Sequence, residues 1–77
     1  MLFPDFTIYL AKEDREIIWE HFGMVDNADY RENMDSKMRI YYRNGYLPGH
    51  NLICTYETSK IPLTEEMIEK AIRAYLI

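Results

Sequence analysis

At 77 residues, with a net charge of −4 and Cys54 as its one cysteine, the chain reads as a single small domain, 1–77, with no internal disulfide. The acidity argues against a generic polyanion-binding domain, which is normally basic overall, and no apolar run is long enough to span a membrane. Secreted domains this small usually carry several bridges, so the lone thiol points to a reducing, cytoplasmic setting; MLFPDFTIYLAKED also lacks the basic head of a signal peptide.

In chain order, Phe6-Thr7-Ile8-Tyr9-Leu10 is aromatic and β-branched and follows Pro4, which predicts a strand. Residues 11–22 read as a helix. Glu13, Asp14 and Glu16 lie where the positive end of the macrodipole favours acids, and Ile17, Ile18, His21, Phe22 and Val25 form an apolar stripe. Gly23 is placed to end it. Residues 26–36 read either as a short helix capped by Asp26, with Tyr30 and Met34 inside, or as an ordered acidic loop.

From Lys37 to Arg43 the residues alternate, with Met38, Ile40 and Tyr42 facing one way and Lys37, Arg39, Tyr41 and Arg43 the other. Asn44-Gly45 is a hairpin signal, and Pro48-Gly49 suits the centre of a type II turn. Leu52–Glu57 returns as a strand, pairing 43 with 51, 41 with 53, 39 with 55 and 37 with 57. A last helix starts at Leu63 or Thr64 and runs to the end, with Thr64 as N-cap and Ile68, Ile72, Tyr75 and Leu76 as its apolar face. The expected order is β-α-(α)-β-β-α: an α+β two-layer sandwich, a three-stranded antiparallel sheet with two or three helices on one face.

Little in this pattern carries chemistry. Nucleophile elbow, Walker loop, dinucleotide fingerprint and zinc-protease motif are missing, and Ala28 and Tyr30 stand where a calcium loop needs oxygen ligands. His21, His50 and Cys54 are too few for a structural zinc, and Cys54 falls on the expected core face. No catalytic residue, cofactor or metal is expected, and the chain reads as a non-enzyme.

Two surfaces stand out. Lys37, Arg39, Tyr41, Arg43, Tyr46 and Ile53 would form a cationic, aromatic patch on the outer hairpin face, with the composition of an interface hot spot. Asp26, Asp29, Glu32 and Asp35 form an acidic series suited to a basic groove. The reading is a protein-binding module, a stand-alone bacterial or phage adaptor or inhibitor acting sterically on a partner protein in anti-defence or host takeover. Abundant Ile, Asn, Lys and Tyr fit an AT-rich genome of that kind. Self-association through the patch is the second use expected of it. The alternative is nucleic-acid or nucleotide binding through residues 37–46, which the net charge disfavours.

Overall fold

Residues 4–76 are described by the computed structural model, and they are organised around β2 (Arg15–Phe22), the middle strand of the sheet. β1 (Phe6–Leu10) pairs with it antiparallel through a turn at residues 11–14, where Asp14 takes a left-handed φ of 49°. α1 (Ala28–Arg43) then crosses over to β3 (Leu52–Tyr56), which pairs with β2 in parallel, and α2 (Glu65–Tyr75) follows. The fold is α+β, with a mixed three-stranded sheet and two helices.

Three expectations are corrected. Residues 15–22 are strand rather than helix. Ile17, Ile18, Trp19, Glu20 and Phe22 are all buried, because the strand has cover on both faces. A strand enclosed on both faces reads as a continuous apolar run, and such a run also satisfies helical spacing. Of the acids at its head, Glu13 and Asp14 belong to the turn and Glu16 to β2 itself.

The second correction concerns the expected hairpin: residues 37–43 are the last two turns of α1. Asn27, not Asp26, caps that helix, its Oδ1 accepting from the Tyr30 amide at 2.9 Å. Tyr30, Met34, Met38 and Tyr41 are its less exposed apolar positions, at helical spacing. Asn44-Gly45 ends the helix. The Tyr46 amide bonds the Tyr41 carbonyl at 3.0 Å and the Gly45 amide bonds that of Tyr42 at 3.1 Å, with Gly45 at φ 83°. That is a Schellman stop, and the Tyr46 ring closes it edge-on against Tyr41, centroids 6.0 Å apart.

Third, the sheet is mixed and the helices cover opposite faces, so the two-layer, all-antiparallel arrangement does not form. Ile18, Leu52 and Tyr41 form the core under α1, with Met38 and Cys54 beside them. Ile17, Trp19 and Ile53 form the core under α2, against Ile68, Ala71, Ile72 and Tyr75. Each fully buried aliphatic side chain contributes about 1.5–3 kcal/mol.

Several expectations hold. β1 and β3 are strands, and Thr64 caps α2 through Oγ1 to the Met67 amide at 3.2 Å. Gly49 has φ 84° and the His50 amide bonds the Leu47 carbonyl at 3.1 Å, as a type II turn at Pro48-Gly49 requires. Ile77, in the expected last helix, lies outside the described residues.

A Cβ at Gly45 would meet nothing within 4 Å, so Gly45→Ala carries only the cost of the left-handed backbone. It should lower unfolding free energy by about 1–2 kcal/mol in denaturant titrations, with the helical circular dichroism signal retained.

Candidate active site

Even-numbered residues of β2 face α1, and this brings Glu20 under the helix. Its side chain is 2% exposed. One carboxylate oxygen is ion-paired with Lys37 Nζ, and the other accepts from the Tyr41 hydroxyl at 3.0 Å. Lys37 and Tyr41, four residues apart, reach Glu20 from one face of α1. Burial, followed by the neighbouring Glu20 carboxylate, pushes the Tyr41 phenol pKa up, so Tyr41 stays a donor.

Asp5 completes the group. Phe6 pairs with Trp19, so the next step of the ladder sets Asp5 opposite Glu20 on the same face. Asp5 Oδ2 accepts from the His21 amide at 2.8 Å. Asp5, Glu20 and Lys37 thus share a pocket of about 320 Å³ with Tyr30, Asn33 and Met34. Asp5 forms its exposed rim and Glu20 its buried end.

A buried ion pair is a poor way to stabilise a fold. Replacing one with apolar side chains of similar volume is often neutral or stabilising by about 1–4 kcal/mol. Two carboxylates and an ammonium that meet in a cleft make this pocket the candidate site. Two carboxylates suffice to hold a small hard cation that keeps most of its waters. Among the described residues no group of three or more His, Cys, Asp or Glu side chains converges on a metal position.

The His21 ring turns to the opposite face. Its Nδ1 lies 2.9 Å from Thr55 Oγ1 and its Nε2 2.9 Å from Glu57 Oε1. Trp19 Nε1 donates to the same Thr55 oxygen at 3.1 Å. Glu57 also accepts from the Leu63 amide at 3.0 Å, tying β3 to the segment before α2. These bonds, that of His21 first, hold the Glu57 pKa below its usual range. Cys54 is half-buried, and burial raises its thiol pKa, so it is a poor nucleophile.

The residues singled out from sequence do not form one patch. Lys37 and Tyr41 point into the pocket and the sheet, while Arg39 and Arg43 are exposed on other sides of α1. Ile53 is core beneath α2, and the Tyr46 hydroxyl donates to Glu16 at 3.2 Å. Of the acidic series, Asp29, Glu32 and Asp35 are exposed along α1, whereas Asp26 accepts from the Ser59 amide and hydroxyl. Asp5 and Glu20 were missed. The available signal was a carboxylate inside the run Ile17-Ile18-Trp19-Glu20-His21-Phe22, where every neighbour is apolar or aromatic.

No family model and no solved structure matches the chain. Over 44 residues it is 41% identical to MJ1519, an uncharacterized protein of Methanocaldococcus jannaschii. The match takes in 56% of this chain and 4% of that protein, so the chain spans a small fraction of the relative's length. Among the described residues no helix is long and apolar enough to cross a membrane.

Tyr41→Phe keeps the ring and removes one donor from a buried carboxylate. It should cost about 1–3 kcal/mol in chemical denaturation, whereas Tyr42→Phe, on the exposed side, should stay within about 0.5 kcal/mol. Because the folded pKa of Glu57 is depressed, the unfolded state takes up its proton first as pH falls below the ordinary value of 4.5. Stability present above that pH should therefore be lost on acidification. Glu57→Gln should flatten the melting-temperature profile between about pH 5 and 3. Asp26, whose pKa the Ser59 bonds lower, should retain a share of the slope.

Proposed function

We propose that the chain carries the site of a metal-assisted phosphodiester hydrolase acting on nucleic acid. The observation that supports it is the Glu20 carboxylate, buried in the central strand yet ion-paired with Lys37 and facing a pocket rimmed by Asp5. In this reading Asp5 and Glu20 would hold a divalent cation of the magnesium type through carboxylate oxygens. The remaining positions are left to waters and to a phosphate of the substrate. Such a cation, when bound, would supply Lewis acidity toward a phosphoryl oxygen and a water of greater nucleophilicity. Lys37 supplies positive charge where negative charge grows on the phosphoryl oxygens. Tyr41 holds the Glu20 carboxylate in one orientation.

In hydrolysis a water oxygen would bond to phosphorus as the bond from phosphorus to the leaving sugar oxygen breaks. The water gives up its proton to solvent, and the leaving oxygen takes one from solvent. The pocket is open to solvent along the helix rather than enclosed, which suits a polymer backbone lying across it. With a net charge of −4 the chain has little general attraction for a polyanion, so turnover should be strongest at low salt. The non-enzymatic reading rests on missing motifs and on the little room a 77-residue domain has to exclude water from chemistry. Asp5 and Glu20 are instead brought together by the strand ladder. The steric protein-binding reading loses the hairpin patch and keeps the exposed acids Asp29, Glu32 and Asp35 along α1.

The test is cleavage of plasmid and of labelled single- and double-stranded oligonucleotides at low salt with Mg²⁺ or Mn²⁺. Cleavage that falls at least about 100-fold in Asp5→Asn, Glu20→Gln and Lys37→Met, each shown to be folded, supports the reading. Absence of cleavage by the unaltered chain with both cations would sink it.

A further inference from the structure

The pocket extends beyond Asp5, Glu20 and Lys37. α1 runs back along β2, so a step toward the start of the helix is a step toward the end of the strand. Lys37 stands over Glu20. Tyr30, seven residues earlier on the helix, stands over Gly23, three residues later in the chain than Glu20. The two spans agree, at about 10 Å along the helix axis and about 10 Å along the strand. Asn33 lies between Tyr30 and Lys37 on the same face of α1, and all three line the pocket. The Tyr30 oxygen accepts from the Gly23 amide at 2.8 Å, and among the described residues no acceptor takes its proton. The exposed Asn33 side chain has no hydrogen-bond partner among the described residues. At helical spacing Glu32 and Asp35 fall on the opposite side of α1, and Asp29 to one flank of the row.

These free donors stand too far from Lys37 to share its phosphate. Asn33 is about 6 Å and Tyr30 about 10 Å from Lys37 along the helix axis. A second phosphate on the same strand reaches them. We propose that Tyr30 and Asn33 donate to the phosphodiester next to the one cleaved, so that the site takes a strand with at least two consecutive phosphodiesters rather than an isolated diester. This rests on the hydrolase reading for the phosphate at Lys37, and it names the face of α1 as the track for the rest of the strand. Hydrogen bonds to a charged phosphate are stronger than those between neutral groups. The Tyr30 hydroxyl, already accepting from Gly23, presents a polarised proton. Both contacts meet phosphate, so they position the strand and read no base sequence.

The probes are the thymidine dinucleotide, with one phosphodiester, and the thymidine trinucleotide, with two. Each is titrated at low salt with Ca²⁺ in place of Mg²⁺, which keeps binding apart from cleavage, and followed by nuclear magnetic resonance. Both should move the Lys37 signals. The trinucleotide alone should move the Gly23 amide and the Asn33 side-chain amide, and it should bind at least about fivefold tighter. Asn33→Ala, at an exposed position, should bring the two affinities to within about twofold. Tyr30→Phe should do the same, and its melting temperature shows separately what loss of the Gly23 bond costs. Tyr42→Phe, on another side of α1, should keep the full preference. Three results would each overturn the proposal. They are equal binding of the two probes or binding of neither, a preference that survives both Asn33→Ala and Tyr30→Phe, and a preference absent from uridine oligomers of the same lengths, which would make sugar or base the group recognised. Cleavage by the unaltered chain without the preference would overturn this proposal and leave the hydrolase reading standing.

Discussion

Burial of β2 on both faces is the constraint from which the other features follow. A strand covered on both sides must send alternate residues to two separate cores. Ile18, Glu20 and Phe22 go to α1, and Ile17, Trp19 and His21 go to α2. One carboxylate among these enclosed positions then needs its own partners. α1 provides them as Lys37 and Tyr41, one turn apart. The same alternation puts the His21 ring with Thr55 and Glu57, away from Glu20, although the two residues are adjacent in the chain.

The division gives the two faces different chemistry. On the α1 side the polar groups converge, and the pocket is built from residues of three elements or their flanks. On the α2 side a groove between β1 and α2 is almost wholly apolar. A ligand on one face need not disturb the other, because the enclosed strand between them is held by ladder bonds on both edges.

How far these arrangements could be read beforehand depended on whether a pattern was local. β1, β3, the Thr64 cap, α2 and the Pro48-Gly49 turn were legible because each rests on a few adjacent residues. Residues 15–22 and 37–43 were misread for mirror-image reasons. The first is an apolar run that fits helical spacing while sitting in a strand. The second alternates for a few residues at the end of a sixteen-residue helix whose stripe starts at Tyr30. Asn44-Gly45 favours left-handed backbone in both a hairpin and a helix stop, so it cannot distinguish them alone. The Asp5–Glu20 pairing was not legible, because it depends on the β1–β2 register. The unneutralised acid within an apolar run was the visible clue.

The parallel pairing of β2 with β3 also orders the assembly of the molecule. β1 and β2 meet across a short turn, with Leu10 opposite Arg15, whereas Ile18 meets Leu52 only after the whole of α1 has intervened. Bringing distant segments together forfeits more chain entropy than closing a turn, so the antiparallel pair and the isolated helix turns come early. The crossover is then the slow event, and until it completes the Glu20 carboxylate remains in water.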